Sequence, residues 1–468
     1  MAQRRFPSPS DVVDQALSTS TSDECVVIVE ESSEVDARFA NNTTTTNGSR
    51  RNRRVVVVSM RAGAGGTSVG VASRSGDPDI AELVRASEAD AAGGEPVDGA
   101  FALVGPGEAG GTDDPAFATA ARSTDLSVIS KVFDALGDAF GRAKAAGQVL
   151  AGFASHRVET VYLGSSSGLR RRHEQPTGSL ELVARSADGS KSAWVAAGTP
   201  WFDDVDLGAM HQRLEERLDW AERRVDLPPG RYETILPPDA TADLMVSLYE
   251  AMSGRDAEDG RNAFSAPGGT TKVGELIASL PFELRSDPAA AGLECSPFLV
   301  TGASGTDVSV FDNGLPLGPT AWVDSGRLER LRYHRAGAAR SGVPPSAPVD
   351  NLVLELPGSS GTLGDLVAGT ERGLLLTCLW YIREVDPVTL LLTGLTRDGV
   401  YLVEHGEVVG VVNNFRFNES PLNVLARCVE AGRTERCLSR EWGEWMNRTS
   451  MPALRVADFN MSSVSAAT

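Results

Sequence analysis

The spacing of apolar positions changes along the chain, and each change marks an element. Val12, Val13, Ala16 and Leu17 share one face of a 3.6-residue repeat behind Ser10 and Asp11, both good caps, which predicts an opening helix. Residues 25–30 form a β-branched run and 34–42 predict a second strand, whereas the Thr/Asn/Arg-rich stretch 42–53 predicts a polar turn or loop. Strands are expected at 55–60 and 68–73, joined as a hairpin across Ala62-Gly63-Ala64-Gly65-Gly66. A helix is expected from Asp77 to about Ala91, followed by a Gly/Asp-rich loop over 93–114. Val128, Ile129, Val132, Phe133, Leu136, Phe140 and Ala143 predict a long amphipathic helix over 126–146. Strands at 147–154, 158–165, 178–186 and 192–199 follow, the last three as an antiparallel meander, and then a charge-dense helix over 207–223.

Leu227-Pro228-Pro229-Gly230 interrupts both periodicities and is the best boundary in the chain. Beyond it the pattern predicts a strand at 231–236 and a helix over about 240–252 capped by Asp239. Short strands are expected at 298–301, 307–311, 320–324, 328–333, 374–382 and 389–396, with a short helix at 362–370. Two more strands, joined by a Gly-containing turn, fall within 396–409, then a polar loop, then a helix from about Pro421. The expected class is α+β: an N-terminal α/β domain (1–226) with an antiparallel sheet and long helices, and a C-terminal β-rich domain (227–468).

At 468 residues the chain exceeds one ordinary core. Its net charge of −19 argues against a general nucleic-acid binder, which needs a cationic surface. No window of about 18 apolar residues is present, so no membrane span is expected, and the N-terminus lacks the apolar run of a signal peptide. Five widely spread cysteines without a CxxC predict free thiols in a reducing cytosol.

Several stretches together carry a family resemblance. They are Arg38-Phe39-Ala40-Asn41-Asn42, Pro229-Gly230-Arg231-Tyr232, Val273-Gly274-Glu275 and Phe311-Asp312-Asn313-Gly314, then Val323-Asp324-Ser325-Gly326, the segment from Thr396 to Ser420, and Met451-Pro452-Ala453-Leu454. In order and spacing they resemble the TldD/TldE (PmbA) family of two-subunit peptidases. That resemblance implies a peptidase cavity enclosed by a dimer and acting on short or unfolded peptides. Catalytic members carry HExxxH on a helix, with a Cys near the C-terminus completing a zinc site. This chain has no HExxxH, and the corresponding helix, around Asp243 and Glu250, contains no His. The resemblance therefore implies a TldE-like subunit that holds neither catalytic residues nor metal, paired with a TldD-like, HExxxH-bearing partner that supplies zinc. A stand-alone peptide-binding or regulatory module, and a subunit repurposed for maturing a peptide or biosynthetic intermediate, are the alternatives.

The candidate substrate-binding residues are Asn413, Asn414, Arg416, Asn418, Glu419 and Ser420, a dense polar loop between apolar segments. Such a loop needs partners for its donors and acceptors. These come either from its own backbone or from the partner's substrate channel, which the resemblance favours. His405 reads as an exposed hairpin residue, Gly164-Ser165-Ser166-Ser167-Gly168 as a turn rather than a nucleophile elbow, and Arg170-Arg171-Arg172 as a solvated, acid-paired or docking run. Of the cysteines, Cys437 beside Arg436 is the one candidate for raised reactivity, with an inert thiol as the plainer reading.

Overall fold

The computed structural model describes residues 7–111 and 114–466, the side chain of Lys131 excepted, and the readings above that touch residues 1–6 and 112–113 lie outside it. Six strands build the first sheet: β1 (Glu24–Ala40), β2 (Thr43–Gly63), β3 (Gly66–Ser75), β4 (Gln148–Ser165), β5 (Arg170–Ser186) and β6 (Ser192–Thr199). Their order is β3-β2-β1-β4-β5-β6, antiparallel throughout.

Both faces of its centre are buried, which explains the unbroken valine runs. Val27, Val29, Val55 and Val57 pack against α1 (Pro9–Thr19) and α2 (Ile80–Gly93). Val26, Ile28, Val56 and Val58 point the other way, onto Phe298, Val310 and Phe311 of the second half. The far end of the sheet, including Leu150, Leu180 and Leu182, is covered by α3 (Ser127–Ala145) and α4 (Leu207–Trp220).

Expected strands 25–30 and 34–42 are one strand, β1, and 147–154 and 158–165 are likewise one, β4. The expected loop at 42–53 is strand. It forms the outer part of β2, pairs with β1 and extends beyond the reach of β3. Its residues are polar because neither face is covered. Pairing is reinforced instead by cross-strand ion pairs, Arg53 with Glu31, Arg54 with Glu30 and Arg50 with Glu34, each contributing ~0.2–1 kcal/mol.

The second sheet has fourteen strands and begins with β7 (Arg224–Val225) and β8 (Gly230–Leu236). Its central member, Thr449–Val464, pairs with β8 and with the Cys428–Cys437, Phe415–Glu419 and Leu352–Glu355 strands. Helix α5 (Pro238–Glu250) is buried on every side from Ala240 to Tyr249, as its nearly all-apolar sequence requires.

Three expected strands, 298–301, 307–311 and 328–333, are mostly irregular. The Asn313 side chain supplies the bonds a ladder would have made. Its amide donates to the carbonyls of Thr301 and Val310, and its oxygen accepts from Thr301 N at 2.8 Å. The expected 374–382 strand is two, Arg372–Leu376 and Leu379–Asp386, because the chain switches partners between them. The first pairs with β8 and Val400–Glu404, the second with Leu391–Thr396. Among the described residues no helix is long and apolar enough to cross a membrane.

Candidate functional site

Helix α5 carries a buried polar cluster. Pro238 opens it, so Asp239 is not the expected cap but lies within the first turn, with Asp243 one turn further along the same face. Each carboxylate holds backbone of the segment after the Cys428–Cys437 strand. Leu438 N donates to Asp239 Oδ1 at 3.1 Å and Glu441 N to Asp243 Oδ1 at 2.8 Å. Trp442 Nε1 donates to Asp243 O at 3.0 Å. Burial pushes both carboxyls up, Asp243 well above its ordinary value.

Around them lie Cys437, Cys378, Tyr401 and the buried guanidinium of Arg217, which reaches from α4 to the Trp194 carbonyl. Arg440 sits over the rings of Trp194 and Trp380, 4.9 and 4.4 Å from their centroids, and bonds Glu181 at 2.6 Å. The cluster is thus a polar seam joining the first sheet to the second.

The seam does not suit a zinc ion. Zinc needs deprotonated ligands with free lone pairs, arranged tetrahedrally. Here each carboxylate accepts an amide through Oδ1, only Asp243 Oδ2 is left without a partner, and the helix offers no imidazole. Among the described residues no group of three His, Cys, Asp or Glu side chains is placed to hold a metal.

A pH prediction follows from Asp243. Its folded carboxyl is raised above the ordinary 3.8, so the stability it confers is full below that value and is lost as pH climbs through the raised one. Asp243→Asn, which keeps the acceptor for Glu441 N, is expected to raise the thermal midpoint at pH 7, with the gain fading toward pH 4. A midpoint below the parent's at pH 7 would show that the ionised carboxylate is needed.

The six polar residues of 413–420 are not a loop. Phe415–Glu419 is a strand between Leu391–Thr396 and the long central strand, with Phe415 and Phe417 fully buried. Asn413 Oδ1 accepts from Leu227 N at 2.7 Å, and Asn414 lies beside Thr396. Arg416 reaches Thr393 Oγ1, the Asn418 carbonyl accepts from Asn460, Glu419 pairs with Arg427 at 2.6 Å and Ser420 Oγ donates to Thr389 O. The six therefore lie along one strand and its flanks.

Sequence reasoning missed a cleft between the sheets. It measures about 320 Å³ and is lined by apolar side chains such as Phe298 and Leu317, and by Glu30, Glu159, His173, Asp350 and Arg448. These come from β1, β4, β5 and two distant loops, so no local motif could reveal them. Burial pulls the His173 imidazole below its usual value, and Nε2 lies 2.9 Å from Gln175 Oε1. Asp350 is accessible to solvent yet surrounded by protein. Burial raises its carboxyl, with Arg448 opposing that shift.

Other motifs have structural work. Arg170 pairs with Asp14, Arg171 holds the carbonyls of Ala109 and Gly111, and Arg172 pairs with Glu174. Ser166 Oγ accepts from Cys25 N in the β4–β5 turn. His405 is exposed and lies 2.6 Å from Glu371. All five cysteines are free and buried, and burial pushes Cys25 to about 11 and Cys295 and Cys428 to about 12. Burial likewise pushes the thiol of Cys437, the candidate for raised reactivity, well above its ordinary value, which disfavours the thiolate.

Comparison with known proteins gives this fold a family. No curated protein matches the chain. TldE from Thermococcus kodakarensis is similar in structure, with a TM-score of 0.76 at 18% identity over 96% of this chain and 98% of that one. A protein named as a modulator of a DNA gyrase from Thermotoga maritima gives 0.75 at 16% identity, over 96% and 99%. One so named from Bacteroides thetaiotaomicron gives 0.72 at 15%, over 97% of both. At these identities the likeness is one of fold. Residues 229–463, half of the chain, match the PmbA/TldA metallopeptidase C-terminal domain. That match, on the same stretch that builds the second sheet, means that the chain belongs to the PmbA/TldD metallopeptidase family, the one its sequence resembles.

Proposed function

We propose that this chain is the non-metal subunit of a two-subunit peptidase. It shapes the cavity that holds short or unfolded peptides, while an HExxxH-bearing partner of the same family supplies zinc and bond cleavage in the cytoplasm. One observation carries the reading. Where catalytic members need a metal-binding pair on a helix, α5 presents Asp239 and Asp243, and both are engaged in holding the 438–442 backbone. A second feature favours peptide as the ligand. Residues 170–177 of β5 run past the end of β6, and although Asp114 holds Arg170 O and Arg172 N, the short stretch 173–177 is left beside which an extended peptide can lie.

Activity separates this reading from a stand-alone module. The purified chain is expected to leave unfolded peptides intact, and mixing with the HExxxH-bearing partner and zinc is expected to give cleavage that a chelator abolishes. Chelator-sensitive cleavage by this chain alone would refute the proposal. A pair that never associates would favour the stand-alone module.

A further inference from the structure

We infer that the cleft between the sheets is a binding site for a primary ammonium group attached to an apolar side chain, as at the amino terminus of a peptide. Interfaces between packed units are where such sites form, with an apolar wall and a few convergent polar groups. Here the wall is supplied by Phe298, Val308 and Leu317. The lining brings three carboxylates, Glu30, Glu159 and Asp350, against one guanidinium, Arg448. Arg54 and Arg157, which pair with Glu30 and Glu159, are not part of the lining.

Arg448 is also partly engaged, since one of its guanidinium nitrogens donates to Thr177 Oγ1. Asp350, by contrast, lies open to the cleft and interacts with Arg448 and His173 through charge rather than through a hydrogen bond. An ammonium brings three donors and no acceptor, which matches carboxylate oxygens flanked by a neutral imidazole. A carboxylate ligand would meet the three acids instead. His173 and Gln175 lie on the short 173–177 stretch of β5 beyond β6, so an extended chain lying along it would begin within reach of the carboxylates.

The inference rests on the peptide reading for the source of the amine. Binding needs this chain alone, however, so its failure is distinct from failure of cleavage by the reconstituted pair. The test is calorimetric titration of the full chain with three peptides: Leu-Gly-Gly amide, its N-acetylated form, and N-acetyl-lysine methylamide. The free-amine peptide is expected to bind saturably, and acetylation to weaken binding about tenfold or more, the range for a lost charge-assisted bond. Asp350→Asn is expected to give a similar loss without lowering the thermal midpoint, since burial already disfavours the ionised carboxylate there. Tighter binding of the lysine compound would keep the ammonium site and identify a side chain as the source. Absence of saturable binding by both amines, or equal binding of the acetylated peptide, overturns the inference.

Discussion

Arg335→Ala is expected to lower stability by about 3–5 kcal/mol, the cost of leaving a buried charge without its partner. Arg335 is 6% exposed and Asp312 is fully buried. The guanidinium Nε donates to Asp312 Oδ1 at 2.8 Å, and the Arg335 backbone N donates to Oδ2 at 2.9 Å. The remaining nitrogens bond the Ala102 and Phe311 carbonyls and the Glu108 carboxylate, and the group lies over the Phe101 ring. One side chain thus binds residues 101–108 to the second half. Chemical unfolding measures the loss. The double change Arg335→Met with Asp312→Asn is expected to recover much of it, since no charge is then stranded. A single variant within about 0.5 kcal/mol of the parent, the size of an ordinary surface change, would mean that the pair is not buried in solution.

Gly70→Ala is the second large effect. A Cβ at this position in β3 would fall far inside van der Waals contact with Ala91 N and Ser87 O, both backbone atoms of α2. The helix cannot lift freely. Ser68 Oγ donates to Ala91 O at 2.6 Å, Ser87 Oγ lies 2.7 Å from Ser59 Oγ, and Val71 N donates to Asp90 at 2.9 Å. Overpacking against backbone belongs at the upper end of the usual range, about 3 kcal/mol. The expected readout is a lower unfolding midpoint with faster amide exchange across 80–93. An unchanged exchange pattern there would show that the sheet and helix are less closely apposed.

The sequence announced elements wherever one layer covers one face. The helix faces of α1 and α3, the meander of β4, β5 and β6, the hairpin around His405 and the helix at Pro421 all carry the expected period. Legibility failed where burial and polarity come apart. Residues 43–53 are strand with no covered face, so no alternation marks them. Phe415 and Phe417 do alternate, but the asparagines and arginine around them masked the period. Asp239 read as a cap because carboxylates so often are caps, and only the fold shows it gripping Leu438 from 199 residues away. The cleft was beyond reach for a different reason: its charges are contributed by segments far apart in the chain.

The valine face that meets Phe298, Val310 and Phe311 has a wider consequence. Units joined through small polar contacts swing relative to one another, whereas a broad apolar contact resists that motion. The Pro-Pro-Gly link therefore marks a change of topology rather than a hinge. Anything gripped at the junction is held at a set distance from the α5 seam, much as a jig fixes a workpiece before another tool reaches it.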